Sequence, residues 1–173
     1  MSDMALLIID MQKAMFMDEN KQPYKGKEVL ENIKFLLKAA RENHVPVIFV
    51  QHTTQGKFRK DTSSWKLCPE ISPDSDEPVI LKTKPDAFFH TSLQEVLQQL
   101  KISKVIIVGM QTDFCVKHTC KGAFKHGYDV TLVSDAHTTF SNIFSNAESI
   151  VKKTNRTLSK KYVTLKPTSI IFA

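Results

Sequence analysis

The feature that most limits the possible fold is a regular alternation of short apolar runs with stretches of helical periodicity. Six runs are rich in Val, Ile and Leu, and several are apolar throughout rather than at every second position. Strands of that kind are typical of a sheet covered on both faces. The predicted strands are residues 5–9, 45–50, 78–81, 104–108, 129–133 and 162–165.

Between these runs, apolar residues recur three or four positions apart, as on one face of a helix. The predicted helices span about residues 29–40, 93–100, 114–126 and 146–159. Ser92 and Glu95 have the spacing of a capping box, and Gly127 is a predicted C-cap. The alternation predicts a single three-layer α/β/α domain over residues 1–173, with a six-stranded, mostly parallel, doubly wound, Rossmann-like sheet.

Composition excludes several classes of protein. The chain has 173 residues, of which 42% are hydrophobic and 24% are charged, as in an ordinary globular domain. No apolar run approaches the roughly 18 residues that span a bilayer. The first residues lack a basic segment and their apolar run is broken by Asp10, so no signal peptide is expected. Three cysteines indicate free thiols. We therefore predict a cytoplasmic protein with no membrane partner.

The formal net charge of +6 raises the question of nucleic-acid binding. The densest basic run, residues 151–161, contains no interleaved aromatic residue. No Gly-rich RNA motif or zinc-finger spacing is present elsewhere. A solvated helix face is therefore the favoured interpretation, and no nucleic-acid partner is predicted.

Three chemically active side chains fall at the carboxyl ends of predicted strands: Asp10 after the first, Lys82 after the third and Cys115 after the fourth. In the common doubly wound order, strands one and four are neighbours that flank the ligand crevice. Each residue alone is weak, since a lone cysteine is more often a small buried hydrophobe. Together they predict nucleophilic catalysis, with Asp10 as the proton acceptor. A helix N-terminus and a nearby ammonium are both expected to favour the thiolate.

Other residues could shape a pocket or hold a ligand. The connection 52–77 is long enough to suggest a functional loop, and its Trp65 is a candidate pocket wall. Gln12 and Phe16 are further candidates for substrate binding, although Phe16 could instead belong to the core. A zinc site at residues 115–120 is disfavoured because Cys120 projects from a different helix face than Cys115. The glycines show no phosphate-binding pattern, so no nucleotide cofactor is predicted.

The sequence resembles the isochorismatase-like cysteine hydrolases, a family that includes nicotinamidases and N-carbamoyl amidohydrolases. The matching stretches are ALLIIDMQKAMF, VILKTKPDAFFHTSL, VIIVGMQTDFCVKHTCKGAFKHGYDVTLVSDAHTT and, more weakly, SSWKLCPEI. The resemblance implies a catalytic triad of Asp10, Lys82 and Cys115. The family lysine stands six residues before a phenylalanine that is Phe88 here, which selects Lys82 over Lys84.

The same resemblance implies further properties. The oxyanion hole would use the backbone amides of Gln111 and Cys115, and a non-proline cis peptide bond would join Met110 to Gln111. No cofactor would be required, and the chain would form a homodimer or homotetramer. Asp86 stands where serine is commoner in the family, a difference that could change the charge of the pocket.

This sequence differs from the nicotinamidases of the family at the residues that bind metal. Nicotinamidases carry an Asp-x-His pattern and further histidines after the second strand, and these residues hold a metal ion. This chain offers only His52 there, without a neighbouring carboxylate. We therefore predict a metal-free enzyme that is a poor nicotinamidase.

The predicted function is hydrolysis of the C–N bond of a small amide or carbamoyl compound through a covalent thiol intermediate. One alternative is hydrolysis of a vinyl ether of the isochorismate kind, although relatives with that chemistry commonly lack the cysteine. A second alternative is a non-catalytic basic binding module on the same fold, against which the complete triad argues.

Overall fold

The sheet is the centre of the architecture. The structure, a computed structural model, describes residues 2–173. Within them, six strands form one sheet in the order 3-2-1-4-5-6, and every neighbouring pair is parallel. The strands are β1 (Met4–Ile9), β2 (Val47–His52), β3 (Val79–Lys82), β4 (Lys104–Met110), β5 (Asp129–Thr138) and β6 (Thr164–Lys166). The predicted six-stranded doubly wound fold is confirmed, and "mostly parallel" becomes wholly parallel for the described strands.

Helices cover both faces of this sheet. They are α1 (Gly26–Glu42), α2 (Leu93–Gln99), α3 (Lys117–Lys125) and α4 (Ala147–Ser159). Residues of α1 share one buried cluster with the sheet, whereas residues of α2, α3 and α4 share the cluster on the opposite face. A short π-helical turn, Thr112–Val116, joins β4 to α3. The predicted three layers are therefore present.

β1 shows why its sequence is apolar at every position. Leu6 and Ile8 belong to the cluster under α1, whereas Ala5, Leu7 and Ile9 belong to the cluster under the other helices. All five side chains are fully buried. Because neighbouring residues of a strand face opposite sides, only a sheet covered on both faces buries such a run.

Two local predictions are corrected. β5 continues to Thr138 instead of ending at 133, because a register shift between Ile107 and Gly109 lets it run alongside the end of β4. The capping box at α2 is wrong: Ser92 has φ −82° and ψ 5° and its side chain makes no capping bond. The predicted C-cap role of Gly127 is confirmed, since it lies just beyond α3 with φ +87°.

Other features agree with the composition. All three cysteines are free, and the charged side chains of the basic run on and after α4 are exposed. Among the described helices, none has the length and apolar character needed to cross a membrane.

Candidate active site

The topology brings the three strand-end residues together. Asp10 directly follows β1, Lys82 is the last residue of β3, and Cys115 lies in the turn between β4 and α3. β4 and β2 flank β1, and β3 lies beyond β2. The carboxyl ends of parallel strands share one edge of the sheet, so these side chains point into the same crevice.

Lys82 contacts both of the other residues in this cluster. Its Nζ lies 2.8 Å from Asp10 Oδ2 and 3.1 Å from Cys115 Sγ. Asp10 is 0% exposed, Lys82 1% and Cys115 9%. Lys84, the competing lysine, is exposed to solvent. The geometry therefore makes Lys82 the lysine of this site, as the motif spacing predicts.

His52 is a fourth member of the cluster that the sequence analysis did not assign to it. It pairs with Lys82 in the register of β2 and β3, and its Nδ1 lies 3.0 Å from Lys82 Nζ. Because an ammonium group can only donate, Nδ1 must accept, and the neutral ring carries its proton on Nε2. Burial lowers the pKa of His52, and the charge of Lys82 lowers it further against a smaller opposing effect of Asp10.

Opposing effects act on the thiol of Cys115. Burial raises the pKa of Cys115 to about 12; the carboxylate of Asp10 raises it too, whereas Lys82 lowers it. The ammonium therefore favours the thiolate, as the sequence predicts, but burial acts against it, because desolvation disfavours the charged sulfur. The carboxylate of Asp10 accepts no hydrogen bond from the described residues apart from its ion pair with Lys82. It therefore has lone pairs free for the thiol proton.

The backbone before the cysteine has the shape that the resemblance implies. The peptide bond between Met110 and Gln111 is cis. Gly109 has φ +121°, and a Cβ there would lie 2.1 Å from the carbonyl oxygen of Ile9. Only glycine allows β4 and β1 to approach this closely. The backbone N–H groups of Gln111 and Cys115 as oxyanion donors stay a prediction.

A buried hydrogen-bond chain fixes the turn that carries Cys115. Thr112 Oγ1 lies 2.8 Å from His137 Nδ1, and His137 Nε2 lies 2.8 Å from Asn155 Oδ1. Burial lowers the pKa of His137 to about 4, so the ring is neutral at physiological pH. Its Nε2–H donates to Asn155 and its Nδ1 accepts from Thr112, which ties the turn to β5 and α4. No pattern in the sequence indicates this series of hydrogen bonds, since it depends on the unpredicted extension of β5.

Gln12, a predicted substrate-binding residue, has its side chain engaged within the fold, and its contact with substrate stays a prediction. Its side chain is fully buried, and Nε2 donates to the carbonyl oxygens of His52 (3.0 Å) and Trp65 (2.8 Å). Its Oε1 accepts from the backbone N–H of His52 at 2.9 Å. With both ends engaged, Gln12 clamps the end of β2 to the long loop that follows it.

The two aromatic candidates are both half-buried. Phe16 packs against the core cluster under α1 and close to Gly26, and its contact with substrate stays a prediction. Trp65 is half-buried, and its indole Nε1 donates to Thr53 Oγ1 at 3.0 Å. Because Thr53 follows His52, Trp65 lies beside the strand ends, and its contact with substrate stays a prediction.

A cavity of about 310 Å³ lies next to the Thr112–Val116 turn that carries Cys115. Its walls include Met15, Gln111, Asp113, Phe114 and Thr139. Thr139 Oγ1 donates to Asp113 Oδ1 at 2.6 Å, which fixes one wall. By contrast, Asp86 does not line this cavity; its Oδ1 accepts from the backbone of Phe88 at 2.9 Å.

The site does not fit a divalent metal ion. Asp10, His52 and Cys115 offer ligand atoms within 4.8 Å of one another. However, Lys82 Nζ contacts an atom of each of the three residues, so the position that a cation would need already carries a positive charge.

Comparison with known proteins shows the family of this chain. A family model described as "Isochorismatase domain" matches residues 4–156. A protein from Arabidopsis thaliana named "Probable inactive nicotinamidase" is 34% identical over 155 residues, covering 76% of this chain and 79% of the relative. A streptothricin hydrolase from Streptomyces noursei is 29% identical, covering 79% of this chain and 50% of the relative.

A solved structure extends the likeness to three dimensions. The crystal structure of an isochorismatase from Pseudomonas putida KT2440 superposes with a TM-score of 0.91. It is 30% identical in sequence, and the match covers 96% of this chain and 89% of the other.

Proposed function

This chain belongs to the isochorismatase family, and we propose that it is a cysteine hydrolase that cleaves the C–N bond of a small amide or carbamoyl compound. One observation carries the proposal: a single buried ammonium, Lys82 Nζ, contacts both the carboxylate of Asp10 (2.8 Å) and the sulfur of Cys115 (3.1 Å). Membership of a family that includes proteins named hydrolases supports the reaction class.

The first chemical step starts from a neutral thiol. Cys115 Sγ attacks the carbonyl carbon of the substrate while Asp10 takes the thiol proton, so no free thiolate has to form in the buried site. A C–S bond forms, and the carbonyl π bond becomes an oxyanion. The backbone N–H groups of Gln111 and Cys115 are the proposed donors to that oxyanion.

The second step releases the amine. The oxyanion reforms the carbonyl, the C–N bond breaks, and Asp10 returns its proton to the departing nitrogen. The product on the enzyme is a thioester or a thiocarbamate of Cys115. Lys82 remains an ammonium throughout and balances the negative charge that moves between Asp10 and the substrate oxygen.

Water completes the cycle. Asp10, again a carboxylate, accepts a proton from a water molecule that attacks the acyl carbon. When the C–S bond breaks, the proton returns to sulfur and the neutral thiol is restored. The reaction balances as amide plus water giving acid plus amine, without a redox partner or a metal.

Two alternatives stay open to experiment. Vinyl-ether hydrolysis is supported by the family name alone, and it gives no role to the thiol. A non-catalytic binding module is supported by the relative named as inactive and by the exposed basic run on α4. The cytoplasmic location and a homodimeric or homotetrameric state also remain predictions.

The test is a panel of small amides and carbamoyl compounds screened for ammonia release. The wild-type protein should turn over at least one of them. Cys115→Ala should lose this turnover while its melting temperature stays near that of the wild type, because only one sulfur atom is removed from a turn. Full turnover in that variant would make the thiol a packing residue and the proposed mechanism wrong.

A further inference from the structure

The ammonium of Lys82 has three N–H groups and contacts three other groups. Asp10 and Cys115 account for two of them, and His52 Nδ1 at 3.0 Å is the third. We propose that His52 is a positioning residue, which holds the Lys82 ammonium between the carboxylate and the sulfur. This inference rests on the proposed function, in which that placement of charge matters.

The Lys82 ammonium needs His52 as a third partner because the ammonium is buried. Lys82 is 1% exposed, so water cannot replace a missing partner, and a buried polar hydrogen without an acceptor is costly. A lysine side chain also has four rotatable bonds, and Asp10, which is ion-paired but not hydrogen-bonded, together with Cys115 fixes the orientation of the ammonium less well than three partners do. His52, at the end of β2, is the third partner that fixes the orientation of the ammonium.

His52 is itself held rigidly enough to serve as that acceptor. Gln12 bonds to both its backbone N–H and its carbonyl oxygen, and the Phe58 ring lies edge-to-face with the imidazole at 5.4 Å. The backbone N–H of the next residue, Thr53, donates to the carbonyl oxygen of Lys82 at 2.8 Å. The imidazole and the ammonium are therefore fixed to each other through backbone as well as side-chain contacts.

The position of the Lys82 ammonium affects the reactivity of the Cys115 thiol. The groups that set its reactivity are the carboxylate of Asp10 and the ammonium of Lys82, which act in opposite directions. An ammonium that is released from His52 can turn toward the carboxylate and away from sulfur. The thiol would then lose part of the favourable charge that helps it to ionise during attack, and its reactivity would fall.

The choice of replacement separates positioning from mere packing. The side-chain oxygen of asparagine lies close to the place of Nδ1, whereas the amide of glutamine reaches to the place of Nε2. His52→Asn therefore keeps an acceptor for Lys82. His52→Gln is equally polar but moves it, and His52→Leu removes it.

The experiment measures the rate of alkylation of Cys115 by iodoacetamide between pH 6 and 10, using mass spectrometry of the peptide that contains it. Because Cys68 (4% exposed) and Cys120 (0%) are more deeply buried than Cys115 (9%), their peptides serve as internal controls for unfolding. His52→Leu and His52→Gln should slow alkylation about tenfold, the size of one lost hydrogen bond to a charged group. His52→Asn should stay within about threefold of the wild type.

The outcomes separate this proposal from the proposed function. Wild-type rates in His52→Gln, or equal rates in the Asn and Gln variants, would overturn the role of His52, and this comparison decides even if His52→Leu does not fold. The alkylation assay needs no substrate. A protein with the expected alkylation pattern but no turnover of any amide would refute only the proposed function, and turnover without the pattern would refute only the positioning role.

Discussion

Replacing Lys82 with methionine should destabilise the fold much more than an ordinary lysine substitution does. Methionine keeps an unbranched side chain of similar length but removes the charge and all three donors. The carboxylate of Asp10, which is fully buried and 2.8 Å from Nζ, would then have no positive partner. The sulfur of Cys115 and the ring of His52 would lose a donor as well.

The size of the effect follows from burial. Exposed ion pairs contribute about 0–1 kcal/mol, whereas removal of one partner of a buried pair costs about 3–5 kcal/mol. Both side chains of this pair are 0% exposed, so the larger figure applies, and Lys82→Met should lower the free energy of unfolding by about 3–5 kcal/mol. The double variant Asp10→Asn/Lys82→Met should lose less than the sum of the single variants, by about 2 kcal/mol.

Equilibrium unfolding in urea, followed by circular dichroism, measures these differences. The matched control is Lys84→Met, which changes an exposed lysine two residues away and should alter stability by at most about 0.5 kcal/mol. A loss below about 1 kcal/mol in Lys82→Met, or strict additivity in the double variant, would refute the buried ion pair as the organising contact of the site.

Three further predictions concern charge and metal. Asp10 raises the pKa of Cys115, so Asp10→Asn should lower that pKa. Thiolate absorbance near 240 nm should then appear at lower pH than in the wild type. An unchanged titration would contradict the effect of Asp10 on Cys115. Burial lowers the pKa of His137 from 6.5 to about 4, so the unfolded chain binds a proton first as pH falls. His137 should therefore take away about 2 kcal/mol of stability between pH 7 and pH 5, a loss that urea unfolding should detect and that His137→Gln should reduce. Because Lys82 occupies the place of a cation, EDTA should leave activity unchanged and nicotinamide should be a poor substrate; stoichiometric metal in the purified protein would contradict this.

The fold and the proximity of Asp10, Lys82 and Cys115 could be predicted because each depends on local pattern and on one topological rule. A run such as residues 5–9, apolar at every position, fits only a strand buried on both faces. Parallel strands place their carboxyl ends at one edge, which is enough to bring Asp10, Lys82 and Cys115 together without any knowledge of side-chain conformation.

The remaining parts of the site depend on quantities that a sequence does not display. The contact of His52 with Lys82 follows from the pairing register of β2 and β3. The hydrophobic pattern of the two strands does not show which of their residues are paired. Gln12 is a predicted substrate-binding residue, and the sequence does not show that its side chain turns inward to bond the backbone of β2 and the long loop. The raised pKa of Cys115 results from burial and from two nearby charges of opposite effect, and the depth of burial follows only from the folded structure.

The most direct test of the central claim is to detect the covalent intermediate on Cys115. A substrate from the amide panel would be mixed with the enzyme, quenched in acid within the first turnover, and the intact mass of the protein measured. We predict a mass increase equal to the acyl or carbamoyl group, located on the Cys115 peptide and absent from Cys115→Ala. Amide turnover without any such adduct, or an adduct on another residue, would contradict the account.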